Sequence, residues 1–514
     1  MEEQIREHER IVIELKRARN ALLNISTLPP EVLGNIFQWN VTLKGDFDGL
    51  EKGSRNFLFV CHHWSEVAMH TPEVWSFWGN TPTDWTRWHR HPGTTPLDLV
   101  LGDATYHNGA YDHGTLDVTV CDTLRDRAAR DEIRRVHLRG WNAAFLNSIL
   151  SPLATPGEGL QPNSVESFIL SNNDHTPVDV TDFFACYRFP KLQRLELHQY
   201  MITSWDVLMS RTTVLTSLAL HSDHPSPPPT TSQLLSIFAS NPSLLKVSLS
   251  RHAVPVDGGG EPPCRVPLHN LKELMLVGGS RHVIGLLHQL DHPMNLDLNI
   301  TLCDRTVEDI PRIVGPYLQD HLRRRDRSQG GLGLSIIQLG RCTIFHVGDA
   351  GGIDLSTPMW EQIVPSVSIT TELVNGSLDL VAHTPRDEVV SFYSWGEPAA
   401  MEDISTQFPN LRALHSCSMP LPVVFPELCL DGNERIPPSL QHVFLEGIVV
   451  DGGDWSPLTT FLTRRVSSGN RLDSLTVDGP HMCLEVEGHI RSMVREFSSD
   501  CPSRGCPFGT CPEE

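Results

Sequence analysis

Leu192-Gln193-Arg194-Leu195-Glu196-Leu197 carries aliphatic residues at its first, fourth and sixth positions. The alternation in its second half is the period of a half-buried strand, whose successive side chains point to opposite faces. The same template opens at Ile133 (IRRVHL), Val165 (VESFIL), Leu215 (LTSLAL), Leu244 (LLKVSL), Leu271 (LKELML), Leu440 (LQHVFL) and Leu472 (LDSLTV), with a partial match at Leu411 (LRALHS). Successive starts from Ile133 to Leu271 differ by 32, 27, 23, 29 and 27 residues, the next by 140, which is five times 28, and the last two by 29 and 32. A period near 28 predicts one supersecondary unit stacked on copies of itself.

A proline often comes two or three residues before the first aliphatic, as in Phe189-Pro190-Lys191-Leu192, Asn241-Pro242-Ser243-Leu244, Phe408-Pro409-Asn410-Leu411 and Pro437-Pro438-Ser439-Leu440. Proline fixes the incoming turn and cannot donate to a ladder, so each strand is expected to begin after it. Between strands lie helical stretches, Gln233 to Ser240, Val283 to Leu290 and Asp309 to Arg325. Strand, turn, helix, turn is the repeating unit. From Leu302 to Val390 the template matches poorly despite Leu334-Ser335-Ile336-Ile337 and Ser377-Leu378-Asp379-Leu380-Val381. An insertion and divergent repeats both fit that stretch. The runs at Pro225 to Pro229 and Asp257 to Gly260 read as surface loops.

The amino-terminal part differs. Glu2 to Asn24 contains neither Gly nor Pro, and Ile11, Leu15, Ala18, Leu22 and Ile25 recur four and three apart, the seam of an amphipathic helix. Glu3/Arg6, Glu7/Arg10 and Glu14/Arg17 are spaced to pair on its outer face. A coiled coil of its own needs three or four heptads, more than this seam supplies. The helix is therefore expected to pack within its own chain, with dimerisation as the alternative. Next, Ser26 or Thr27 can cap a helix whose first turn accepts Pro29 and Pro30 and whose Glu31 complements the helix dipole. Val32, Leu33, Ile36 and Phe37 share one face of it, and Leu28 sits on the preceding turn, free to project outward. Phe57 to Ala68 reads as a second apolar helix. Six of the eleven tryptophans lie between Trp39 and Trp88, giving a small module large apolar anchors.

Leu28-Pro29-Pro30-Glu31-Val32-Leu33 with Ile36-Phe37, then Val60-Cys61-His62-His63-Trp64 and Thr71-Pro72-Glu73-Val74-Trp75, together resemble the F-box, particularly the version found in large fungal F-box families. The extended segment Pro96 to Leu101 follows as it does in those relatives. The resemblance covers about 75 residues and implies a small all-α, three-helix module that docks on the Skp-type adaptor of a cullin-RING ubiquitin ligase. By position Leu28 and Pro29 would enter the adaptor groove, beside Glu31. Val32, Ile36, Phe37, Val60, Cys61 and Trp64 would be apolar contacts or module core, two roles that sequence does not separate. The connection from Phe37 to Val60 is longer than the pattern and contains Lys44-Gly45-Asp46-Phe47-Asp48-Gly49, so the middle helix is expected to be displaced or shortened. The repeats in turn resemble the irregular leucine-rich repeats that follow F-boxes. That implies an α/β solenoid, a curved parallel sheet with helices outside, roughly 50 to 60 Å long for ten to twelve strands.

The expected organisation is a helix at 1–24, the F-box-like module at 25–78, a connecting segment with a first strand at 79–130, repeats at 131–495 with 302–390 as an interruption or a divergent stretch, and a Cys/Pro-rich, disordered tail at 496–514. The 514 residues carry a net charge of −21, which argues against nucleic acid as the main ligand. The charged start MEEQIREHER does not read as a secretory signal, and no apolar stretch approaches the roughly 20 residues that span a bilayer. Twelve scattered cysteines suit reduced side chains. A cytoplasmic or nuclear location without membrane attachment is expected.

Catalytic signatures are weak. No Walker loop, Gly-x-Ser-x-Gly elbow or His-Glu-x-x-His occurs, and Gly258 to Gly260 and Gly330-Gly331-x-Gly333 read as flexible loops. His62 and His63 are adjacent, whereas shared ligands on a helix want spacings of three or four. Arg87 to His91 reads as a solvated loop. Cys501, Cys506 and Cys511, with Cys483, His481 and His489 upstream, lack the Cys-x-x-Cys intervals of common zinc sites. The expectation is a non-enzymatic substrate receptor with no cofactor and no metal, binding the adaptor, through it a cullin, and a target protein. Its rivals are a repeat scaffold without ligase engagement and a hydrolase with residues scattered over loops.

Overall fold

In the computed structural model the described residues are 2–21, 28–43, 56–75, 77–78, 96–101, 133–141, 146–147, 164–172, 177–186, 189–206, 208, 212, 214–223, 228–256, 265–293, 296–303, 309–324, 332–339, 342–349, 364–371, 384, 387–395, 408–425, 437–450, 453–479 and 482–499. The Ser26 and Thr27 cap, Lys44 to Gly49, Arg87 to His91, the glycines 258–260 and 330–331, Ser377 to Val381, His481 and the tail cysteines Cys501, Cys506 and Cys511 lie outside them. The chain divides into two compact units, Met1–Leu244 and Leu245–Glu514.

In the first unit α1 (Glu2–Ala21), α2 (Pro30–Leu43), α3 (His62–Met69) and α4 (Pro72–Trp75) precede the strands β1 (Phe77–Trp78), β2 (Leu97–Leu101), β3 (Ile133–Trp141), β4 (Ser167–Asn172), β5 (Val178–Asp179), β6 (Arg194–His198), β7 (Tyr200–Met201) and β8 (Ser217–Ser222). The sheet runs β1-β2-β3-β4-β6-β8 and every pairing is parallel, while β5 and β7 form a separate parallel pair. The second unit holds β9 (Lys246–Arg251), β10 (Val266–Pro267), β11 (Glu273–Gly278), β12 (Leu290–Asp291), β13 (Asp297–Leu302), β14 (Leu332–Leu339), β15 (Cys342–Asp349), β16 (Val364–Thr371), β17 (Val389–Trp395), β18 (Ala413–Cys417), β19 (His442–Glu446), β20 (Ser474–Asp478) and β21 (Glu496–Ser499). Its sheet runs β9-β11-β13-β16-β15-β14-β17-β18-β19-β20-β21. Each unit is thus mixed α/β, built on a parallel sheet with helices.

The repeated sequence becomes repeated geometry. Strands β4, β6, β8, β9, β11, β18, β19 and β20 each start two residues after the first aliphatic of their template. That aliphatic closes the preceding turn: Leu192 N donates to Phe189 O, Leu244 N to Asn241 O, Leu411 N to Phe408 O and Leu440 N to Pro437 O, at 3.1 to 3.2 Å. The serine before the template supplies a further tie. Ser164 Oγ donates to Ile133 O at 2.7 Å, Ser243 Oγ to Leu215 O at 3.2 Å and Ser439 Oγ to Leu411 O at 2.9 Å, each reaching back to the first aliphatic of a previous template. At the end of the strand the chain turns a left-handed corner, at Arg251 (φ 51°), the last residue of β9, and at Gln199 (φ 55°), Ser418 (φ 56°) and Gly447 (φ 56°), each the residue after its strand. In each unit one face of the sheet is aliphatic and sealed: Leu170, Leu195, Leu197, Leu218 and Leu220 in the first and Leu445 and Leu475 in the second are all 0% exposed. Each such side chain contributes about 1.5–3 kcal/mol on burial.

The helices bury apolar sides of their own. Thr231–Ser240 begins with a capping box, Gln233 N donating to Thr230 Oγ1 and Thr230 N to Gln233 Oε1, and buries Leu234, Ile237 and Phe238. Its end is fixed by the fully buried Asn241, whose Oδ1 accepts from Leu215 N and whose Nδ2 donates to Ile237 O and Thr212 O. Helix Ser280–Leu287 ends three residues before the Leu290 expected from sequence, because Leu290 pairs in β12 with Val266. Asp309–Arg324 forms as read, with Pro316 inside it.

Between β13 and β17 the strictly parallel order breaks. β15 runs antiparallel to both β14 and β16, and the three strands are spliced in so that β16 pairs parallel with β13 and β14 with β17. Antiparallel neighbours need no crossover helix, so the stretch loses the template spacing while the ladder continues.

Two expectations for the amino terminus are corrected. Along α1 the described seam residues stay exposed, Ile11 by 41% and Leu15 by 65%, rather than packing within the chain. Phe57 to Ala68 is not one helix either: Asn56–Phe59 is a 3₁₀ turn, Cys61 is extended (φ −161°, ψ 167°), and α3 starts at His62. Phe57 and Trp64 both lie against Phe37, with ring centroids 4.5 and 5.3 Å away. Seven positions on a continuous helix would separate them by about 10 Å along its axis, so the break brings both onto one ring.

Candidate protein-docking faces

Helix α2 is built with two unlike sides. Pro29 O accepts from Val32 N and Leu33 N at 3.0 and 3.1 Å and so opens the first turn. Pro30, with no amide to leave unpaired, takes the first helical position, and Glu31 lies at the positive end. On the inner side Leu33 and Phe37 are 0% and 1% exposed, Phe37 stacking on Phe57 with planes 8° apart. Gly34 admits close packing there: a Cβ on it would sit 2.9 Å from Thr71 Oγ1. That hydroxyl donates to Val67 O at 2.8 Å, and Trp75 Nε1 donates to Ala68 O at 2.7 Å, which fixes α4 against α3.

The outer side is apolar and exposed. Val32, Ile36 and Trp39 follow one another at helical spacings of four and three, and are 42%, 42% and 62% exposed. Pro29 and Glu31 are exposed at the head of the same helix and Leu28 is half-buried. Val60 is exposed, Cys61 and Trp64 half-buried. The structure therefore divides the residues that sequence left mixed: Phe37 is core, Trp64 leans on that core, and Val32, Ile36 and Val60 face solvent. Trp39 and Met69 were missed as exposed apolar side chains. Trp39 lies seven residues after Val32, so extending the helical period along α2 was the signal that marked it.

Each sheet also has a polar face, formed by the template positions between the aliphatics. In the first unit His137 Nε2 lies 2.8 Å from Ser167 Oγ, and the rings of His198 and His221, opposite each other on β6 and β8, stack at 4.5 Å. Burial pushes His221 down. In the second unit Tyr393, His415, Phe444 and Thr476 form one row across β17 to β20, and Cys417, Glu446 and Asp478 form the next across β18 to β20. His415 is fully buried, between Tyr393 at 4.6 Å and Phe444 at 4.2 Å, with Nε2 3.2 Å from Glu446 Oε2. Burial pushes His415 down to about 3, so it is neutral, and pushes Glu446 and the Cys417 thiol up. A thiol held protonated is a poor nucleophile.

Cys483 and His489, two members of the sequence-suggested carboxy-terminal cluster, are described: Cys483 is exposed, immediately before the helix Leu484–Met493 that carries His489. No group of three or more metal-ligating side chains occurs among the described residues, and no helix among them is long and apolar enough to cross a membrane. No protein-family model and no curated protein matches this chain.

Proposed function

We propose that the chain is the substrate-recognition subunit of an SCF-type ubiquitin ligase, with α2 to α4 acting as an F-box that binds a Skp-type adaptor and the repeat sheets binding a target protein. The observation that carries this reading is the exposed stripe Val32, Ile36 and Trp39 on a helix whose core side is already filled by Leu33 and Phe37. An apolar surface that the module does not need for its own packing is what a docking partner would bury, and a few such anchors supply most of an interface's energy. The leucine-rich-repeat reading of both sheets draws support from the fixed strand offset, the serine ties and the left-handed corners. A receptor of this kind needs no catalytic residues of its own, because tethering raises the effective concentration of the reacting partners.

The test is co-purification with the adaptor. The double substitution Leu28→Ala with Pro29→Ala is expected to reduce capture several-fold or more, and unchanged capture contradicts the docking site. A scaffold without ligase engagement is the second reading, favoured by the long segment between Phe37 and Val60 and by the extension of α2 to Leu43. For that reading the wild-type chain captures no adaptor.

A further inference from the structure

Helix α1 carries an apolar face that no described residue covers. Ile11 and Leu15 are 41% and 65% exposed, and Ile5 and Val12 beside them 52% and 47%. Ile11, Leu15 and Ala18 follow at intervals of four and three, which are the d, a and d positions of a heptad. On that assignment Glu14 falls at g and Arg19 at e.

These flanking charges select the occupant. In a parallel, in-register pair, g of one helix faces the e position five residues further along its partner. Glu14 then meets Arg19 of a second copy, and the twofold axis forms the pair twice. An antiparallel pair sets g against g, bringing Glu14 toward a glutamate of the other helix. Among the described side chains Glu14 receives a 3.4 Å contact from Arg10, which lies closer to Glu7 at 2.7 Å, and Arg19 donates to the neighbouring Asn20 at 3.3 Å.

We propose that two copies of this chain associate through α1 as a parallel, in-register pair, with Ile11 and Leu15 in the seam and Glu14 to Arg19 salt bridges beside it. The seam is shorter than a free-standing coiled coil requires, so the association is reversible and concentration-dependent. It does not rest on the adaptor reading, because α1 precedes the docking helix and the measurement uses no adaptor.

Sedimentation velocity of the purified full chain over a wide concentration range is expected to show a monomer converting to a dimer. Leu15→Glu is expected to weaken that conversion by roughly a hundredfold or more while leaving helicity unchanged, since the side chain is exposed in the monomer. Glu14→Arg places like charges together and weakens it too, and Glu14→Arg combined with Arg19→Glu restores it. A chain monomeric at every concentration, a dimer that survives Leu15→Glu, or an exchange of charges that fails to restore pairing would each overturn the proposal.

Discussion

Val32 and Leu33 are neighbours in sequence, about 100° apart around α2, yet one is 42% exposed and the other fully buried. The pair separates binding from folding. Val32→Asp and Ile36→Asp are expected to change stability by about 0.5 kcal/mol or less, as exposed substitutions do, and to lower adaptor capture at least about tenfold. Leu33→Ala leaves a cavity beneath Phe37 and costs about 2–5 kcal/mol, so it abolishes capture by unfolding the module. Circular dichroism beside the capture assay tells the two apart. Capture by the Asp variants at wild-type levels would remove this face from consideration.

Gly34 offers a sharper probe of the same module. Alanine normally improves a helix by about 1 kcal/mol over glycine. Here its Cβ would meet Thr71 Oγ1 at 2.9 Å and Cγ2 at 3.2 Å, and the hydroxyl is held by its bond to Val67 O. Gly34→Ala is therefore expected to destabilise, by about 1–3 kcal/mol for overpacking. Thr71→Ala removes both clashing atoms, so the double variant recovers most of the loss. A double-mutant cycle on urea midpoints measures the coupling, and additive effects would show that the contact is not the cause.

The repeats were legible because two periodicities coincide. Aliphatics at every second residue mark the buried sheet face, and proline often marks the turn before it, so nine strands could be located from their templates. The spliced strands β14 to β16 were not, since antiparallel neighbours dispense with the turn and helix that set the spacing, although Val364, Val367 and Ile369 of β16 do fall at the first, fourth and sixth positions of the template. The break at Cys61 was hidden for another reason. Nothing between Phe57 and Ala68 is a helix breaker, and the cause is the distant ring of Phe37. On α2 the helical period grouped Val32, Leu33, Ile36 and Phe37 on one face and could not assign Phe37 inward and Val32 outward, because all four are apolar.

Arg465 shows a further part of the fold that composition concealed. It is 5% exposed, and its guanidinium donates to Asn470 O at 2.7 Å, Pro437 O at 3.0 Å, Pro438 O at 3.3 Å and Leu440 O at 2.6 Å. Helix Ser456–Ser467 thereby clamps the turn that leads into β19, the role Asn241 plays for β8. Arg465→Met keeps the stem but strands buried carbonyls, each costing about 1–3 kcal/mol. A loss of roughly 3 kcal/mol or more is expected, with Arg465→Lys recovering only part because an ammonium cannot reproduce the planar fork. Urea unfolding followed by the fluorescence of the buried Trp455 at the head of that helix checks it. A change below about 1 kcal/mol would mean that water satisfies the turn instead.

The buried imidazole of His415 makes the second unit acid-sensitive. Its pKa falls from an ordinary 6.5 to about 3 through burial, so between those values the unfolded chain binds a proton that the folded chain does not. Stability then rises with pH across this window, and it is lost as pH drops below 6.5, by at most about 1.4 kcal/mol per unit. Glu446, raised by burial and by Asp478, acts in the opposite sense above 4.5, since its folded form retains a proton that the unfolded form releases. The decline is therefore expected to be shallower just above 4.5, where Glu446 opposes it, than His415 alone would make it. Burial lowers His221 and His442 as well, so replacing one imidazole flattens the profile without abolishing it. His415→Phe, which keeps the contacts with Tyr393 and Phe444, is expected to bring the urea midpoints at pH 7 and pH 5.5 closer together by the equivalent of about 1 kcal/mol. An unchanged difference between the two midpoints would show that His415 titrates alike in the folded and unfolded chain.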